Sequence, residues 1–169
     1  MYSLRCTQAL LDRLKQSPSR DAPPAATTVL GDWYANRLNV GRLRLVLLTS
    51  ERSLLCVLTP ARDLTQLHNR LLAALAESLH ALNIAPRHIE HELREMQSFQ
   101  YARTASRQVL GSMNDFAFLA DTYLRDEGRE PDLLRAAQFL NRTPCSPIAY
   151  QSPDRLVPEL FSALTLTPQ

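Results

Sequence analysis

Residues Asp32–Leu58, DWYANRLNVGRLRLVLLTSERSLLCVL, decide the fold. The stretch from Asp32 to Val40 mixes β-branched, aromatic and polar residues. Gly41-Arg42 then offers a tight turn into Leu43–Leu48 (LRLVLL). Thr49–Arg52 (TSER) offers a second turn into Ser53–Leu58 (SLLCVL), and Pro60 ends the run because it cannot donate to a ladder. Three strands joined by short turns predict a β-meander. The last two are nearly continuous apolar sequence, so both of their faces should be covered.

Working outward, Tyr2–Cys6 reads as a short strand. Thr7 is placed to cap a helix with Leu10, Leu11 and Leu14 on one face. Residues 16–27, rich in Pro, Ser and Ala and without periodicity, read as a flexible loop. Asp63 is expected to cap the strongest helix, whose leucines from Leu64 to Leu82 recur at helical spacing. Asn83 ends it, and Pro86 opens a helix that turns Ile89, Leu93 and Met96 inward. Residues 99–104 suggest a strand and Ser106 caps a helix to about 124. Two further helices fall near 132–141 and 154–164. The expectation is a single domain, 1–169, of class α+β: a small antiparallel meander of about three to five strands packed on about five α-helices.

Composition narrows the function. The chain has 169 residues, 45% hydrophobic and 21% charged, with net charge +2, ordinary for a globular domain. Lys15 is the only lysine; the other basic residues are arginines, spread along the chain, which favours a compositional origin over a dedicated anion surface. Three distant cysteines, Cys6, Cys56 and Cys145, form no C-x-x-C pair. With no signal-peptide pattern at the N-terminus and no apolar run long enough to span a membrane, a cytoplasmic location is expected. No G-x-S-x-G elbow, Walker loop or G-x-G-x-x-G occurs.

The helix from Ser106 poses a question. Gly111 and Asn114 interrupt its apolar stripe, and Arg107, Asn114 and Asp121 line up with Leu110 and Phe118. Either a neighbouring backbone or a ligand should approach there. A polar pocket between the meander and this helix would be lined by Arg5, Asp32, Asn36, Arg52, Arg107 and Asn114. Its ligand would be anionic, a nucleotide or a nucleic acid. Trp33-Tyr34 beside Arg37 offers base stacking, or simply a core aromatic pair. The alternative is a metal-dependent phosphodiesterase or nuclease using Asp32, Glu51 and Asp115. His88, His91, Glu92 and Glu95 are the one metal-like spacing, though a solvated helix face explains them as well. A homodimer through the leucine-rich helix is a further possibility.

The words Arg5–Thr7 (RCT), Leu30–Asn36 (LGDWYAN), Ser50–Arg52 (SER), Leu110–Phe116 (LGSMNDF) and Ser146-Pro147 resemble a family of small bacterial proteins known only as a domain of unknown function. The resemblance covers nearly the whole chain and implies no activity. The family tends to carry Asn-Arg-Ser before V-L-G; here the run is Ser106-Arg107-Gln108, which keeps the arginine and changes its neighbours.

Overall fold

The computed structural model describes residues 1–164. One five-stranded sheet, in the order β4-β3-β2-β1-β5, forms the middle layer. Its strands are β1 (Tyr2–Cys6), β2 (Trp33–Val40), β3 (Leu43–Ser50), β4 (Cys56–Pro60) and β5 (Phe99–Arg103). The meander holds: β2 pairs antiparallel with β3 from Trp33↔Ser50 to Val40↔Leu43, and β3 with β4 from Thr49↔Cys56 to Leu45↔Pro60. The sheet as a whole is mixed, not purely antiparallel. β1 lies parallel to both β2 and β5, because α1 and the 16–27 segment carry the chain back across the sheet before β2 begins.

Six α-helices stand where about five were expected: α1 (Gln8–Leu14), α2 (Leu67–Ala81), α3 (Pro86–Glu95), α4 (Arg107–Leu124), α5 (Leu133–Leu140) and α6 (Pro153–Ser162). They cover both faces of the sheet. Trp33, Ala35, Val46 and Leu48 alternate onto a face packed by α1, α2, α3 and α6. Tyr34, Leu38, Leu45 and Leu47 face α4 and α5. In α2, Leu67, Leu71, Leu75 and Leu79 are each fully buried at four-residue spacing, worth about 6–12 kcal/mol of apolar transfer before entropy is charged against it.

The helix starts differ in two places from expectation, one of them α1, where Thr7 holds the N-cap position but makes no side-chain capping bond and donates its hydroxyl to Asn36 instead. Ser106 and Asp132 accept the N–H of Val109 and Arg135 as N-caps. Asp63 does not cap α2. It sits at φ +45°, its carboxylate accepts the Thr65 hydroxyl, and a 3-10 turn over Leu64–Gln66 intervenes before α2. Pro86 opens α3 as expected.

The outer edge of β4 is closed by one side chain. The Cys56 N–H donates to Asn141 Oδ1 at 2.8 Å, and Asn141 Nδ2 donates to the Cys56 carbonyl at 2.9 Å. The amide thus imitates a neighbouring strand and fixes the end of α5 against the sheet.

Candidate functional site

The structure gathers half of the sequence candidates at one turn. Gly31 takes φ +79°, a conformation that suits glycine, and an added Cβ would lie 2.9 Å from Arg52 Cγ. Asp32 follows it, buried. Its carboxylate accepts the Ser3 N–H at 2.8 Å and the Arg5 Nε–H at 2.9 Å. Arg5 also donates to the Arg103 carbonyl and lies 6.0 Å above the Tyr34 ring. Arg52 bends over Gly31 and donates to the carbonyls of Thr28 and Val29. Asn36 accepts the Thr7 hydroxyl at 3.0 Å. These polar groups are satisfied by protein partners, so they pin the strand ends and the turn.

The aromatic pair is core. Trp33 and Tyr34 are completely buried, which removes the base-stacking reading for them. Burial pushes the Tyr34 phenol up, while the Ser106 N–H that donates to its oxygen and the nearby Arg5 pull it back.

Arg107 and Asn114 do not join this group; both are exposed on α4. Gly111 is exposed too, with nothing within 4 Å of the position a Cβ would occupy. No neighbouring backbone approaches there. Sharing a stripe with Leu110 and Phe118 does not bury Asn114, because Phe118 is itself 74% exposed. What the interruption does leave is a shallow polar hollow of about 400 Å³ on the flank of α4, where Gln108, Gly111, Ser112 and Asp115 face Ser146 and Pro147.

The helix face carrying His88, His91, Glu92 and Glu95 divides. Glu92 is fully buried, not solvated: its two carboxylate oxygens accept the N–H groups of Val29 at 2.7 Å and Leu30 at 3.0 Å. Burial raises its pKa, against those two donors, His91 and Arg52. Glu95 instead accepts the Thr27 hydroxyl and lies 3.8 Å from the N-terminal ammonium. His88 stacks on Phe161. Among the described residues no three His, Cys, Asp or Glu side chains are grouped so that they could share a metal, so neither this face nor Asp32, Glu51 and Asp115 form a metal-holding set. All three cysteines are buried and unbridged. Burial pushes their thiols up, Cys6 to about 12.

A broad concavity lies at the other end of the sheet. A cleft of about 690 Å³ runs across the β2–β3 hairpin, the end of β4 and the segment before α5. Six arginines line it: Arg13, Arg37, Arg42, Arg44, Arg62 and Arg129. Alternation explains two of them. Arg37 and Arg44 share the sheet face of Ala35 and Val46, but lie beyond the part that helices cover. Arg44 holds the hairpin by donating to the Gly41 carbonyl at 2.8 Å. Arg70 donates to the carbonyls of Pro60, Arg62 and Asp63 and fixes the segment carrying Arg62. Leu43, Leu45, Leu64 and Leu133 also line it, Leu64 on the face of Arg37 and Arg44 and the others on the opposite face, so the cleft wraps the end of the sheet.

This cleft is electrostatically unbalanced. Its one acid is Glu130. The three ion pairs among the described residues join the N-terminus to Glu95, Arg5 to Asp32 and Arg125 to Asp121; none includes a cleft arginine. Six arginines and one glutamate give the cleft +5, whereas the whole chain is +2, so the remainder carries −3. The arginines are spread along the sequence, and the fold brings six of them to one cleft. No motif could have found this cleft; the faint signal was Arg37, Arg42 and Arg44 crowding one predicted hairpin.

The fold and cleft define an α+β domain with a mixed sheet, helices on both of its faces and a concentrated cationic hollow at one end. A model of a family described as a domain of unknown function, DUF6933, matches residues 3–156, and the chain belongs to that family. No curated protein matches the chain. Among the described residues no helix is long and apolar enough to cross a membrane.

Proposed function

We propose that the protein is a cytoplasmic binding module whose site is the arginine cleft and whose ligand is a phosphate-bearing anion. The observation that carries this reading is the set of six arginines in one concavity with, among the described residues, no carboxylate within ion-pairing distance. Guanidinium groups held together in this way repel one another, and a bound anion relieves that repulsion. Their planar forks match phosphate oxygens two at a time. The partly exposed Leu43, Leu64 and Leu133 give a non-ionic part of the ligand something to pack on.

Thermal unfolding with tripolyphosphate, against sodium chloride at matched ionic strength, tests it. Ligand at about 100 times its Kd stabilises by about 2.7 kcal/mol. For a chain of this size that raises Tm by about 5–10 °C. The double variant Arg37→Ser/Arg44→Ser is expected to lose most of the rise. A wild-type Tm that responds to tripolyphosphate no more than to salt refutes the reading.

A further inference from the structure

We propose that the anion is a single-stranded nucleic acid, laid as a chain along three joined hollows; this rests on the anion-binding reading above. The arginine cleft is not closed at its ends. On one side it shares Arg13, Ala61 and Leu64 with a second hollow of about 680 Å³ that adds Lys15, Thr65 and Tyr101. On the other it shares Arg42, Leu43 and Arg129 with a third of about 460 Å³ that reaches Gly128 and Arg125. Arg125 is engaged by Asp121 and is not counted as a free cation.

Length decides between a compact and an extended ligand. Tyr101 stands on β5 and Leu43 on β3, with β2 and β1 between them. Tyr101 is in register with Leu4, Trp33 and Ser50, whereas Leu43 begins β3 seven residues away, so three strand spacings of about 4.8 Å and a strand rise of about 3.3 Å per residue put the two about 27 Å apart before the groove continues to Arg129. Seven cations, Lys15 and six arginines, follow this path, with Asp63 and Glu130 the acids along it. A compact polyphosphate would leave the outer charges unused, whereas a chain with one charge per unit meets them in turn. Tyr101 separates nucleic acid from other polyanions. Its ring is half-buried in the second hollow and held edge-on by Phe99, with centroids 5.3 Å apart, as a support for a stacked base. Because the groove is dominated by guanidinium groups and apolar side chains, binding should be insensitive to base sequence.

The experiment is fluorescence anisotropy of the full chain with labelled oligothymidylates of about 4 and about 12 nucleotides, spanning known single-strand site sizes. Unlabelled tripolyphosphate and an oligoglutamate of matched charge serve as competitors, and circular dichroism confirms that each variant is folded. The longer oligonucleotide is expected to bind at least about tenfold tighter than the shorter. If about four phosphates are neutralised, affinity falls about 50-fold between about 50 and about 200 mM salt, and Arg37→Ser/Arg44→Ser lowers the log–log slope by about 1.4. Tyr101→Leu weakens binding about tenfold. Equal affinity for both lengths, with tripolyphosphate competing as well per phosphate, overturns the strand and leaves the anion cleft standing. Equal competition by oligoglutamate, or no effect of Tyr101→Leu, overturns nucleic acid as the class. Failure of every anion to bind overturns both readings.

Discussion

Asn141→Ala removes the side chain that closes the sheet edge and anchors the helix whose first turn walls the arginine cleft. The substitution deletes two hydrogen bonds at once, and it leaves the Cys56 N–H and C=O without partners in a buried setting. Each such group costs about 1–3 kcal/mol, so two would cost about 2–6 kcal/mol. A neighbouring hollow of about 160 Å³, lined by Leu55, Gln138 and Asn141 itself, is large enough to admit water that re-pairs part of the loss. The expected destabilisation is therefore at the lower end, about 2–3 kcal/mol. Urea unfolding should show a lower midpoint at unchanged slope, with Tm lower by about 5–10 °C. Asn141→Asp keeps an acceptor but turns a carboxylate toward the Cys56 carbonyl, so it should lose at least as much at neutral pH. A loss below about 1 kcal/mol for Asn141→Ala would refute the assignment of this amide as the partner of β4.

Gly111→Ala is expected to stabilise the protein by about 0.5–1 kcal/mol, because Gly111 is exposed inside α4 with open space around a Cβ; a destabilised variant in thermal unfolding would show a close approach that the packing lacks. Gly31→Ala should do the opposite, costing about 1–2 kcal/mol, since a Cβ at φ +79° would also press on Arg52. Glu92 carries a pH signature. Its folded pKa is raised above the ordinary 4.5, so between 4.5 and that raised value the native state holds a proton the unfolded chain has released. Stability from this group is full below about pH 4.5 and is lost as pH rises through the folded pKa. Glu92→Gln, which does not titrate, should be the less stable protein at low pH, because its NH2 cannot accept the backbone N–H that a carboxyl oxygen accepts even when protonated. The gap from wild type, read by urea unfolding across the acid range, should narrow as pH rises; a widening gap contradicts the sign.

The local pattern of the chain was legible; its spatial arrangement was less so. Alternation in β2 and β3, and the leucine spacing of α2, report which side chains face a core, and those elements appear where the periodicity placed them. Strand direction leaves no such trace. Tyr2–Cys6 reads as a strand whichever neighbour it meets, so the parallel pairing of β1 with β2 and β5 could not be read. Glu92 shows a second limit: an acid on a helix face looks solvated until the Val29 and Leu30 N–H groups, free in their turn, are seen to need an acceptor. Asn114 shows the converse, since its apolar neighbour Phe118 is exposed. Of the six candidate ligand residues, Arg5, Asp32 and Arg52 do meet at one turn, yet they satisfy one another and the backbone. The arginines of the cleft come from positions 13 to 129, and folding alone makes them neighbours.

Amide chemical-shift mapping locates the anion site on the protein. Titrating tripolyphosphate into isotopically labelled protein should move the resonances of the β2–β3 hairpin, residues 60–64 and residues 129–133 together, with one saturating dependence. Shifts centred instead on the Arg5–Asp32 turn or on the flank of α4 around Gln108–Asp115, or no saturable shifts at all, would contradict the account.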